Sequence, residues 1–134
     1  MTPVSRQLFL WLIVVQAAHS VEEYLFRLYD ALAPARWVSG LFTDNLALGF
    51  ALANACIVLL GLWCYVARIR TSHPSARAWA WFWSALEGAN GVGHLAFAAG
   101  ERGYFPGAAT APALLGLSLA LAISLGRTAV PKRV

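Results

Sequence analysis

Ala18-His19-Ser20-Val21-Glu22-Glu23-Tyr24 puts one imidazole and two carboxylates inside residues 7–28, a run otherwise apolar enough to read as a membrane-spanning helix. Ionisable side chains at bilayer depth cost roughly 3 kcal/mol each on insertion scales, and they normally face a bundle interior, a partner or a bound ion. A functional site is therefore the first expectation for this stretch. At about 100° per residue, His19 and Glu23 lie about 40° apart and His19 and Glu22 about 60° apart, so all three address one volume from one helix face.

The surrounding sequence has the composition of a membrane protein. Of 134 residues, 60% are hydrophobic and only 12% charged, with a mean hydropathy of +0.63. Several apolar runs approach the roughly 20 residues that cross a bilayer. The net charge of +4 and pI near 9.6 do not mark a nucleic-acid binder, because the basic residues cluster at the ends of apolar runs and form no stripe. Cys56 and Cys64 lie about 12 Å apart along one such run, too far for a disulfide. Arg6 ahead of the first run imitates a secretory signal, but the run is long, carries Glu22 and Glu23 and lacks a small-x-small cleavage site, so a retained helix is expected.

Four helices are expected, at about 7–28, 42–66, 78–100 and 108–125, forming one domain over residues 1–134. Ala33-Pro34-Ala35 reads as a breaker after the first and Arg36-Trp37 as an interfacial anchor. Thr71-Ser72-His73-Pro74-Ser75 turns the chain between the second and third. Short links imply antiparallel neighbours, hence an all-α, integral-membrane four-helix transmembrane bundle. Arg6, Arg68, Arg70, Arg77, Arg127, Lys132 and Arg133 fall on one side and Arg27, Arg36 and Arg102 on the other. Seven against three places both termini in the cytoplasm and the protein in the inner (cytoplasmic) membrane.

The third span carries Glu87, Asn90 and His94 within about 60° of one another, with Glu101 a heptad further along the stripe. Counted at 1.5 Å per residue, Glu87, Asn90 and His94 and the groups of the first span occupy overlapping depths of roughly 14 to 24 Å. Neighbouring spans would bring them together in the outer half of the membrane. Three readings compete. In the leading one, His19 and Glu23 clasp a divalent metal ion from one helix turn, His94 closes a third position, and a fourth stays open. That set suits catalytic zinc or non-haem iron. Glu22 would then be general base and a further candidate ligand, Glu87 an additional ligand or proton relay, and Glu87 with Glu101 would leave room for a second ion. The second is metal-free acid–base chemistry between carboxyls of split affinity, suited to an isomerase or cyclase. The third is structural, with Glu and His neutralising each other to pin the bundle register.

Other residues take plainer roles. Gln16, Asn54 and Asn90 are candidate supporting donors, with Asn54 better placed than Asn45. Trp79, Trp81 and Trp83 read as an aromatic belt, and Gly88, Gly91 and Gly93 as a close helix-packing surface. His73 reads as solvated, and Asp44 as a helix-start acid.

The chain resembles a family of small bacterial membrane proteins named for an HxxEE motif, here His19-Ser20-Val21-Glu22-Glu23. Its second histidine is matched by His94 in Asn90-Gly91-Val92-Gly93-His94, and its YxPG motif by Tyr104-Phe105-Pro106-Gly107. The resemblance implies one site for His19, Glu22, Glu23 and His94 and names no reaction. Tyr104 would sit at the outer rim, in a loop that Pro106 turns and Gly107 releases into the fourth span.

The expectation is thus a membrane-embedded, metal-dependent enzyme, zinc hydrolase-like or non-haem iron oxidase-like, acting on a lipid-soluble or amphipathic small molecule. The alternatives are the metal-free isomerase or cyclase and a cation-binding or transport protein. The apolar inner half of spans one and three argues against a through-path. Four short helices enclose little volume, so a homodimer could complete the cavity.

Overall fold

A computed structural model describes residues 1–127. Lys132 and Arg133, counted in the charge asymmetry above, lie outside the described residues. The described chain is all helical. Helix α1 spans Pro3–Leu25, α2 Leu28–Ala31, α3 Ala33–Gly40, α4 Leu46–Cys64, α5 Ala76–Glu101 and α6 Ala111–Arg127.

Local chemistry sets most of the boundaries. Thr2 Oγ1 accepts from the Ser5 amide at 3.1 Å and Pro3 occupies the first turn, where its missing N–H costs nothing. The run expected to reach residue 28 stops at Leu25, because Arg27 adopts a left-handed conformation at φ 59°. Asn45 Oδ1 caps α4 by accepting from Leu48 N at 3.1 Å. The last turn of that rod, Tyr65–Ile69, widens into a π-helix. Arg102, at φ 51°, closes α5 as Arg27 closes the first rod.

Three expectations are corrected. Ala33-Pro34-Ala35 does not break the chain but opens α3, since proline is at home in a first helical turn. Arg36 and Trp37 accordingly ride on that helix, with Arg36 Nη2 donating to the Asp30 carbonyl at 2.6 Å. Trp83 is not part of an exposed belt: it is buried and meets Phe9 edge to face. Gly93 has open space where a Cβ would be, whereas Gly91 lies against the Ala111 carbonyl and Leu115, so the tight α5–α6 contact rests on Gly91.

Helix α6 packs against α5 and α1, and α4 against α1 and α3. Ser5 Oγ meets Ser124 Oγ at 2.7 Å, and Ser84 Oγ donates to the Ser118 carbonyl at 2.7 Å. Along α1, Phe9, Leu12 and Ile13 join one apolar core with Trp83, Leu114 and Leu121. Leu28 and Tyr29, past its end, join a second with Phe50 and Phe105. The polar side chains Gln16, His19, Glu22 and Glu23 fall between these two cores.

The rods Pro3–Leu25 and Leu46–Ile69 are each long and apolar enough to cross a membrane. Helix α6 is apolar but has 17 residues, and α5, at 26 residues, is more polar. Apolar side chains such as Trp11, Val14, Leu48, Leu59, Phe82 and Ile123 are exposed, while Gln16, His19, Glu22, Glu23, Glu87 and His94 are buried. That pairing is unusual for a water-soluble bundle.

Candidate functional site

Glu23 projects from the last full turn of α1 into the angle between α1 and α5. Its Oε1 lies 3.3 Å from His19 Nε2, one turn earlier, and 2.9 Å from His94 Nε2 on α5. The two imidazoles meet edge to face with centroids 4.6 Å apart, and all three side chains are buried. The three donor atoms lie within 4.8 Å of one another.

Hydrogen-bond bookkeeping fixes the tautomers. His94 Nδ1 lies 2.6 Å from the Pro106 carbonyl, which can only accept, so this nitrogen carries a proton. The Thr110 hydroxyl donates to Glu22 Oε2 at 2.6 Å, and with its one hydrogen so used it accepts from His19 Nδ1, also at 2.6 Å. Each neutral ring therefore turns the Nε2 lone pair toward the same carboxylate oxygen. Three lone pairs converging in a dry pocket repel unless a proton or a cation lies among them. His19 Nε2 has no hydrogen-bond partner. Histidines tethered through Nδ1 and converging through Nε2 have the form of metal ligands with their supporting partners in place. A tetrahedral ion with bonds of about 2.0 Å separates its ligands by about 3.3 Å, close to the two His–Glu23 spacings of 3.3 and 2.9 Å.

Glu22 does something other than expected. Its carboxylate turns away from the His19–Glu23–His94 group and toward the loop after α5. It accepts from Ala109 N at 3.0 Å, Thr110 N at 2.9 Å, the Thr110 hydroxyl and the Tyr104 hydroxyl. With its lone pairs engaged by four donors, Glu22 holds the loop in place and is not disposed to act as a general base or ligand. Burial, and then the bond to Glu22, push the Tyr104 phenol up to about 12, so it remains a donor at neutral pH.

The YxPG segment thus closes over the site: Tyr104 anchors to Glu22, Pro106 supplies the His94 acceptor, and Gly107 packs on both rings. Gly107 sits at φ +91°, and a Cβ there would lie 2.5 Å from His94 Nδ1 and 2.8 Å from His19 Cε1. Only glycine lets the backbone descend this far. Thr110 and the Pro106 carbonyl are partners that the sequence alone left unseen. They are neutral loop groups, and their only signal was proximity to YxPG.

On its other side Glu23 lines a cavity of about 430 Å³ together with Glu87, Asn90, Gln16 and Asn54. Glu87 is 1% exposed, and its Oε2 accepts from Asn90 Nδ2 at 3.4 Å. It shares the cavity with Glu23 and is not one of the three converging donors. Helix α3 lines the opposite wall through Pro34, Ala35 and Val38. Glu101 is exposed at the end of α5, outside the site, and His73 is bonded to Arg68 and Ser75 in the α4–α5 link.

A family model described as a protein of unknown function with HXXEE motif matches residues 10–122. No curated protein and no solved structure matches the chain.

Proposed function

We propose that this chain, which belongs to the HXXEE family, is a four-span membrane protein that holds one divalent metal ion on His19, Glu23 and His94 and acts on a lipid-soluble or amphipathic molecule. The carrying observation is the convergence of two imidazole Nε2 atoms, each with its Nδ1 tied to a fixed acceptor, on Glu23 Oε1.

Zinc or ferrous iron would supply Lewis-acid or redox chemistry there. The protein residues do the rest. Glu22, Thr110 and Pro106 orient the rings, and the YxPG loop excludes water from one side. Glu87, which lines the cavity beside Glu23, takes or returns a proton in place of Glu22.

The membrane reading is supported by the outward-facing apolar side chains of α1 and α4. The bond from Arg6 Nη2 to Ser72 Oγ, at 2.7 Å, also gathers the N-terminus and the α4–α5 link at one end, as two cytoplasmic segments require. The cytoplasmic membrane is the proposed location.

A second reading keeps the residues and replaces the ion with a shared proton. The 2.9 Å His94–Glu23 distance favours it, being that of a charge-assisted hydrogen bond. Elemental analysis of detergent-purified protein separates the two. We expect about one zinc or iron per chain in the parent, and loss of the metal in His19→Ala and His94→Ala. A folded parent that takes up neither metal after supplementation refutes metal binding and leaves the proton-based reading.

A further inference from the structure

The cavity beside Glu23 has a polarity that names its occupant. A chain of bonds orients its amides. Asn54 Nδ2 donates to the Phe50 carbonyl at 3.1 Å, so Asn54 Oδ1 is the atom that accepts from Ser20 Oγ at 2.6 Å. The Ser20 hydroxyl, its hydrogen spent, must accept from Gln16 Nε2 at 3.2 Å. Gln16 Oε1 is thereby left as an acceptor without a partner, on a side chain only 3% exposed that lines the cavity. Such a group is costly unless something donates to it.

The carboxylates add to this. Glu23 uses Oε1 for both histidines, leaving Oε2, and Glu87 uses Oε2 for Asn90, leaving Oε1. No lysine, arginine or histidine lines the cavity among the described residues. Side chains that carry acceptors, Gln16 and the carboxyls of Glu23 and Glu87, therefore line a space whose remaining wall is apolar, with Phe50, Ile57 and Leu86. A group with several N–H donors and a positive charge matches the polar end; an acyl or alkyl chain matches the rest. An anionic head would meet two carboxyl groups and no cationic side chain among the described lining residues.

We infer that this cavity binds the ammonium head of a long-chain primary amine, with N–H bonds to Gln16 Oε1 and to the free oxygens of Glu23 and Glu87. The inference rests on the membrane-embedded reading of the site and gives it a substrate class. It does not require the ion.

The test uses the full chain in nanodiscs of phosphatidylcholine and a diazirine-bearing dodecylamine, with attachment sites mapped by mass spectrometry. We expect crosslinks on α1, α3 and α5 segments that line the cavity. Excess dodecylamine should compete, and dodecanol and dodecanoate should not. Competition by phosphatidylethanolamine as well would assign the amine to a lipid head group; competition by dodecylamine alone would assign it to a free amine. Glu87→Gln should lower labelling at least about tenfold, the factor a charge-assisted hydrogen bond carries, and Gln16→Leu should lower it about fivefold. Equal competition by dodecanol, unchanged labelling in Glu87→Gln with native helix content, or absence of cavity crosslinks overturns the inference. If Glu87→Gln fails to fold, the competition series on the parent decides alone. Metal content of the same preparations keeps the two readings apart: labelling without metal refutes only the ion, and metal without amine-selective labelling refutes only the amine.

Discussion

Gly107 and Glu22 show how much of a site can depend on residues that never touch a substrate. Gly107 combines a positive φ with a Cβ position already filled by both imidazoles. Gly107→Ala should lower stability by about 2 kcal/mol and weaken metal binding, because the loop must lift and take the Pro106 acceptor with it. Thermal unfolding and metal titration in detergent read the two effects, and unchanged metal affinity would contradict the loop's orienting role. Glu22→Gln presents an N–H₂ to groups that are themselves donors, and should cost about 2 to 3 kcal/mol. Tyr104→Phe removes one of the four donors and should cost about 1 kcal/mol with metal retained. Equal losses in the two variants would mean that the Tyr104 bond alone fixes the loop. The histidines and Glu23 were legible because charge inside an apolar run is conspicuous and helical spacing is arithmetic. The turn of Glu22 toward the loop was not. Its angle differs from that of Glu23 by one residue step, and which partner faces it depends on where a distant loop folds.

At the scale of elements, the long apolar rods were readable and the short helices were not. Hydrophobic runs of about 20 residues announce themselves. Helix α3 has eight residues around a proline that reads equally well as a stop. Its position matters, because Pro34, Ala35 and Val38 form one wall of the cavity. The contact that sets it is Gly49 on α4, where a Cβ would run into the Ser39 backbone. Ser39 itself is buried and ties its hydroxyl to the Ala35 carbonyl at 2.7 Å, so that backbone has little room to yield. Gly49→Ala should therefore push α3 outward and cost about 1 to 3 kcal/mol, despite the higher helix propensity of alanine. Unfolding midpoints in one detergent compare it with Gly93→Ala, where open space lies at the Cβ position and propensity alone should act. A stabilised Gly49→Ala would show that the α3–α4 approach is loose.

For the whole molecule, the distribution of polarity carries more weight than any single helix. Two rods meet the length and hydropathy of membrane spans, while α5 lowers its average by carrying Glu87, Asn90 and His94. Those residues are polar because they line the interior site, and their inward placement leaves Phe82, Val92 and Phe97 to the outside. A span that lines a polar site is expected to look less hydrophobic than one that does not. On the proposed four-span reading, composition undercounts spans in a bundle built around buried acids. If four helices cross, the α4–α5 link lies in the cytoplasm, and the segment before α4 and the end of α5 lie outside. Labelling of single cysteines tests this, in a background with the exposed Cys56 and buried Cys64 replaced by alanine. In intact cells a membrane-impermeant maleimide should modify Asp44→Cys and Glu101→Cys, both at exposed positions. His73→Cys should react only after lysis. If all three react from the same side, α4 and α5 do not cross, and the site would open to water instead of the acyl chains.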